Sequence, residues 1–203
     1  MIAIIDYDAG NLKSVEKALQ KLGGDVQITR KREDILSADH VILPGVGAFG
    51  DAMEKLHSYH LTEVLYETAQ RQIPLLGICL GLQLFFESSE ESPGVKGLGL
   101  MKGTVRRIPQ TSPDLKIPHM GWNSLHFETP GRLFEGIPDG SYAYFVHSYY
   151  LKAEDPAVVT ASTYYGTTIH ASVEQGNLFA CQFHPEKSSD TGLSILRNFM
   201  QIH

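Results

Sequence analysis

Apolar and polar positions fall into blocks along the first eighty residues, and the blocks switch period. Ile2-Ala3-Ile4-Ile5 is a short unbroken apolar run, which predicts a strand buried on both faces. Leu12, Val15, Ala18, Leu19 and Leu22 then recur at helical spacing, with Asn11 placed to cap that helix and Gly23-Gly24 to stop it. Val26–Thr29 and residues 41–43 read as the next strands, the latter closed by Pro44. Helical patterns fill 51–56 and 61–71, and Leu75–Ile78 is a fourth apolar run. Strands alternating with helices predict a mostly parallel sheet covered on both faces, with ligands at the carboxyl ends of its strands.

The second half changes character. Residues 94–138 are rich in Gly and Pro, with a short alternating segment at 104–108. Residues 142–146, 158–164, 169–174 and 178–183 read as strands, several at hairpin spacing, with Gly166 and Gly176-Asn177 in turns. A last helix is expected over 191–201, with Leu193, Leu196, Phe199 and Met200 on one side. No linker, repeat or low-complexity segment divides the chain. The expectation is one α/β domain over 1–203, a mostly parallel central sheet flanked by helices with an added antiparallel strand section.

Composition narrows the classes. Of 203 residues, 42% are hydrophobic and 20% charged, as in an ordinary globular domain with one core. A net charge of −6 gives no support for nucleic-acid binding. No apolar run reaches membrane-spanning length, and the N-terminus lacks the basic region of a signal peptide. Two cysteines make no disulfide framework, so a reduced, cytoplasmic setting is expected. Cys181, in the apolar run Leu178–Cys181, reads as core.

The other cysteine carries candidate chemistry. Gly77-Ile78-Cys79-Leu80-Gly81 sits between the fourth strand and a helical pattern, the form of a nucleophile elbow. Cys79 there stands at a helix N-terminus, which favours a thiolate. A buried structural cysteine beside a βα turn fits the same spacing. A thiol nucleophile needs a base and the base an orienter. Phe183-His184-Pro185-Glu186 offers both at the end of another strand, although a surface histidine before a turn reads the same way. Leu43-Pro44-Gly45-Val46-Gly47-Ala48-Phe49 has accessible backbone N–H groups suited to an oxyanion hole, or is a plain loop. It is neither a dinucleotide fingerprint nor a P-loop. His147, in an apolar strand, reads as a hydrogen-bonded core residue. No metal-ligand spacing and no phosphate site are visible.

Taken together, Gly-Ile-Cys-Leu-Gly-Leu-Gln, Pro-Gly-Val-Gly-Ala-Phe and Phe-His-Pro-Glu-Lys-Ser resemble the triad-type, class I glutamine amidotransferases, along the whole chain. Asp6-Tyr7, Gly10-Asn11-Leu12, Pro118-His119-Met120-Gly121-Trp122-Asn123 and Tyr144-Phe145-Val146-His147-Ser148-Tyr149 are most similar to members that serve a cyclase in histidine biosynthesis. Asp8 departs from the glycine expected in the first loop, and Leu82 stands where Met is common.

The resemblance implies a flavodoxin-like fold and hydrolysis of glutamine to glutamate and ammonia by Cys79, His184 and Glu186. It implies oxyanion donors at the backbone of Val46 and Leu80. It implies glutamine binding by Gln83 and Glu91 and by backbone groups of Gly45, Gly47, Ser148 and Tyr149. For Glu91, a solvated charge in Ser88-Ser89-Glu90-Glu91 is the plain alternative. It implies a heterodimer with the cyclase subunit through Met120, Trp122, Asn123, Tyr144 and Lys187, and no cofactor or metal. Another amidotransferase pathway, a cysteine hydrolase or peptidase on a similar sheet, and a non-catalytic binding module remain open at this point.

Overall fold

The computed structural model describes residues 1–129 and 131–203. Its centre is a seven-stranded sheet. In chain order its first half holds β1 (Ile2–Ile5), α1 (Leu12–Lys21), β2 (Val26–Thr29), α2 (Arg32–Leu36) and β3 (His40–Leu43). Then come α3 (Phe49–Ser58), α4 (Leu61–Gln70), β4 (Leu75–Ile78) and α5 (Leu80–Leu84). The second half holds β5 (Ser88–Ser89), β6 (Gly103–Arg107), β7 (His119–Ser124), β8 (Tyr142–His147) and β9 (Tyr149–Ala153). It closes with β10 (Val159–Tyr164), β11 (Thr168–Gln175), β12 (Leu178–Cys181) and α6 (Ser189–Met200).

The sheet order is β10-β11-β12-β4-β3-β1-β2, parallel from β12 to β2 and antiparallel across β10, β11 and β12. This is the mostly parallel sheet with an antiparallel section that the pattern predicts. β1, β3 and β4 are buried at every position, as strands covered on both faces must be. Side chains alternate between the two layers. Ala3, Ile5, Val41, Leu43 and Leu75 pack with Met53, Leu56 and Leu65 of α3 and α4. Ile2, Ile4, Ile42, Leu76 and Ile78 pack with Val15 and Leu19 of α1 and Ile195, Leu196 and Phe199 of α6.

Several details differ from expectation. α2, β7 and β9 were not predicted. Ser148 alone separates β8 from β9, yet the two belong to different small sheets, β7-β8 and β5-β6-β9. β12 ends at Cys181 rather than at 183, and β11 is longer than predicted. Asn11 does precede α1, but in the left-handed region at φ 74°, and its side chain makes no capping hydrogen bond. That amide is used elsewhere, at Glu186.

Candidate active site

β3, β4 and β12 are neighbours, and the three candidate loops leave their carboxyl ends side by side. Cys79 follows β4 with φ 55° and ψ −104°, a strained backbone for a residue with a side chain. The elbow holds because its glycines allow contacts that no other residue permits. A Cβ on Gly81 would lie 1.9 Å from the Leu43 carbonyl oxygen, and one on Gly77 would lie 2.7 Å from the Gly81 backbone. The Cys79 N–H is tied to the Cys181 carbonyl at 2.8 Å, so the elbow is also fastened to β12.

His184 and Glu186 follow β12. The His184 imidazole Nδ1 bonds Glu186 Oε1 at 2.7 Å, with both side chains fully buried. Burial pushes the imidazole down, but the nearby Cys79 sulfur and the hydrogen-bonded, negatively charged Glu186 outweigh it, raising it to about 9. At neutral pH it is therefore an imidazolium beside the sulfur, the partner a thiolate nucleophile requires. Its Nε2 is buried without a conventional hydrogen bond, as is Glu186 Oε2. Glu186 Oε1 accepts a second hydrogen bond from Asn11 Nδ2 at 2.5 Å. Nothing in the sequence points to that contact beyond a Gly-Asn pair ahead of a helix.

Cys79 and His184 line one cavity of about 370 Å3 with Val46, Gly47, Leu80, Gln83, Glu91, Pro118, Val146, His147, Ser148 and Tyr149. The structure thus brings together Cys79 and His184 with all of the predicted glutamine-site residues except Gly45, which lies just behind the wall. Gln83 is buried, and its Nε2 donates to the Tyr149 carbonyl and to Gln182 Oε1, each at 3.1 Å. Glu91 is not a solvated charge. Its Oε2 accepts the Phe49 N–H at 2.8 Å, serving the first turn of α3, whose own preceding residue is Ala48. The Ser148 carbonyl is taken by Ile108 N–H, and the Tyr149 carbonyl by His147 and Gln83.

The expected oxyanion donors are the backbone N–H groups of Val46 and Leu80. The Leu80 N–H donates to the Gly45 carbonyl at 3.3 Å. In a trans peptide the C=O and N–H point oppositely, so the Val46 N–H faces away from Leu80.

His147 is the core residue its setting predicts. Its Nδ1 lies 2.8 Å from the Tyr149 carbonyl, and its Nε2 lies 3.0 Å from His119 Nδ1. His119 Nε2 in turn faces Asn123 Nδ2 at 3.3 Å. The Tyr149 carbonyl only accepts and the Asn123 NH2 group only donates, so with both ends of the chain fixed each ring carries one proton and both are neutral. Burial holds them down, His147 to about 3 and His119 to about 4.

The predicted interface residues share one region. On the β7-β8 ribbon Trp122 pairs with Tyr144 and Met120 with Val146, so all four lie on one face. Met120 is 62% and Trp122 51% exposed. Trp122 and Tyr144 meet edge to face at 6.0 Å. Asn123, on the other face, is bound to the Tyr164 carbonyl. Lys187 is exposed and makes no ion pair among the described residues. No cluster of three or more His, Cys, Asp or Glu among the described residues is arranged to hold a metal.

A family model described as "Glutamine amidotransferase class-I" matches residues 3–202. The chain is 53% identical over 201 residues to the imidazole glycerol phosphate synthase subunit HisH of Moorella thermoacetica, covering 99% of this chain and 94% of that one. It is 48% identical over 202 residues to the subunit of the same description from Methanocaldococcus jannaschii, covering both chains fully. Its fold is similar to the solved PurLQS structure from Thermotoga maritima, with a TM-score of 0.74 at 20% identity over 98% of this chain and 96% of that one.

Proposed function

The chain belongs to the class I glutamine amidotransferases, and we propose that it is the glutaminase subunit of an imidazole glycerol phosphate synthase, with Cys79, His184 and Glu186 as its triad. The observation that carries this is the strained Cys79 elbow and His184 lining one cavity, with Glu186 buried behind the imidazole.

Glutamine enters with its side-chain amide toward Cys79. Gln83 Oε1, which has no partner among the described residues, and Glu91 receive its α-ammonium group, and backbone groups near Gly45, Gly47, Ser148 and Tyr149 receive its carboxylate. The thiolate attacks the amide carbon. The imidazolium of His184 gives its proton to the departing nitrogen, which leaves as ammonia, and a thioester remains. His184, now neutral, takes a proton from water, whose oxygen opens the thioester. Glutamate leaves and the thiolate–imidazolium pair is restored. Glu186 holds the imidazole through Nδ1 and balances its charge throughout.

The oxyanion needs two donors. Turning over the Gly45–Val46 peptide swaps the carbonyl now at Leu80 for the Val46 N–H. The resting conformer is therefore weakly active, and docking of the cyclase subunit favours the turned one. The exposed face of Met120, Trp122 and Tyr144 runs to Val146 at the cavity wall, so a partner seated there covers the site and receives the ammonia. Asn123 and Lys187 border that contact. Free thiols at Cys79 and Cys181 suit a reduced, cytoplasmic setting.

The test is glutamate production by the chain alone and with the cyclase subunit, each with and without its nucleotide ligand. Turnover should rise on adding the partner and further with ligand. Equal turnover in all four conditions, or peptide cleavage without a partner, sinks the reading.

A further inference from the structure

Gln182 lies between Cys181 and Phe183 and is completely buried, although it is polar. Its backbone N–H is satisfied by the Ala171 carbonyl. Its side-chain amide spans the gap between Gln83 and the nucleophile, with Oε1 at 3.1 Å from Gln83 Nε2 and Nε2 at 3.7 Å from Cys79 Sγ.

The orientation of this amide is not arbitrary. The Tyr149 carbonyl accepts only, so the Gln83 amide must turn its Nε2 to it. The second N–H of that nitrogen then meets Gln182, which must answer with Oε1. Gln182 is left with Nε2 toward the sulfur. The Tyr149 carbonyl is itself held by His147 Nδ1–H, within the neutral histidine pair. One carbonyl on β9 thus fixes two amides in sequence, and the second delivers an N–H to the reacting atom.

We propose that Gln182 is a catalytic residue, a neutral hydrogen-bond donor that holds the Cys79 thiolate, with Gln83 as the residue that sets its polarity. The role rests on the glutaminase reading of Cys79 and extends it. As a thiol, Cys79 has the Val146 carbonyl to donate to, at 3.9 Å. As a thiolate it only accepts, and Gln182 supplies the donor. An amide cannot take the proton away, so it stabilises the anion without competing with His184 as acid or base. Gln83 lines the cavity, so glutamine binding there also reaches the sulfur, through Gln182.

The test is the rate of alkylation of Cys79 by iodoacetamide across pH, which requires no glutamine turnover. The titratable groups around the sulfur are His184 with Glu186 behind it, Tyr7 from the first loop, Cys181 from β12, and His147 and Glu91 on the cavity wall. None changes in Gln182→Met, which keeps the volume and removes the donor. Its alkylation should slow by about tenfold near neutral pH, with the midpoint of the rate profile moved upward. Gln182→Glu, which keeps the contact with Gln83 but turns an acceptor on the sulfur, should slow it further. Protection of Cys181 reports that each variant is folded. An unchanged profile in a folded variant overturns the proposal, whatever glutamine turnover does. A slowed profile supports it even where no glutaminase activity is found, so the two readings fail separately. Should neither variant fold, the side-chain amide resonance of Gln182 in the wild-type chain decides. It must shift when Cys79 is alkylated, and a resonance that stays in place refutes the contact.

Discussion

Asn11 and Glu186 are 175 positions apart, and the amide of the first donates to the carboxylate oxygen that also receives the His184 imidazole. The Glu186 side chain is fully buried, so its charge is matched by these two contacts rather than by water. Asn11→Ala should lower kcat by about tenfold with little change in KM, because the imidazole loses its fixed partner rather than the substrate its site. Asn11→Asp should do worse, by placing like charges together. Steady-state glutaminase kinetics in the cyclase complex check both.

Cys79→Ala should abolish glutamine hydrolysis with the fold retained. A glutamine-derived electrophile should label Cys79 and spare Cys181, which is buried and whose thiol is pushed far up by that burial. Peptide mapping of the labelled protein reads this directly, and label confined to Cys181 reverses the assignment.

His184 makes stability depend on pH. Its folded value, about 9, lies above the ordinary 6.5, so its contribution is complete below 6.5 and is lost as pH rises through 9. Wild-type unfolding free energy should therefore fall between pH 6.5 and 10, by roughly 3 kcal/mol from this group. Urea titrations of His184→Ala should lack that fall. The same variant should lose nearly all turnover, since triad members act as a unit.

Gly81→Ala tests the elbow. Its new Cβ would fall on the Leu43 carbonyl, backbone that cannot step aside without breaking the β3–β4 ladder. A loss of about 3 kcal/mol or more is expected in thermal or denaturant unfolding. A near-neutral effect would show that strand and helix approach less closely than described.

Trp122→Ala should separate interface from fold. The side chain is half exposed, so the isolated chain should change by only about 0.5 kcal/mol. Affinity for the cyclase subunit should fall by about 2 kcal/mol, roughly thirtyfold. Lys187→Ala should reduce activation by the partner more than it changes glutamine binding. Titration calorimetry and activation curves measure these.

The parallel half of the fold was legible because fully buried strands leave unbroken apolar runs such as Ile2–Ile5 and Leu75–Ile78. β7 was not, because Gly121, Asn123 and Ser124 break its apolar alternation and its exposed face carries Met120 and Trp122. The β8–β9 switch was hidden because no Gly, Pro or Asn marks it, only Ser148. Cys79, His184 and Glu186 were readable as motif residues at strand ends. Asn11 and Gln182 were not, since each acts through a partner distant in the chain. A fully buried glutamine amid Leu178–Cys181 and Phe183 was the one local sign, a polar residue where the run should be apolar.

Ile78 and Cys181 stand opposite one another in the ladder, as do Gly77 and Leu43. The nucleophile is one step past its rung, the Pro44-Gly45 turn one to two past its own, and His184 three past Cys181. Adjacent strands are about 4.8 Å apart, so the sheet acts as a ruler that spaces the three loops before any side chain is chosen. Step counts are then as constrained as residue types. Deleting one residue between Cys181 and His184 would rotate the imidazole off the sulfur even with every motif letter intact. An insertion in the β7-β8 ribbon would leave those distances untouched. Length variation among such chains therefore has a permitted place, in the appended sheets, and a forbidden one, on the three strands that carry the chemistry.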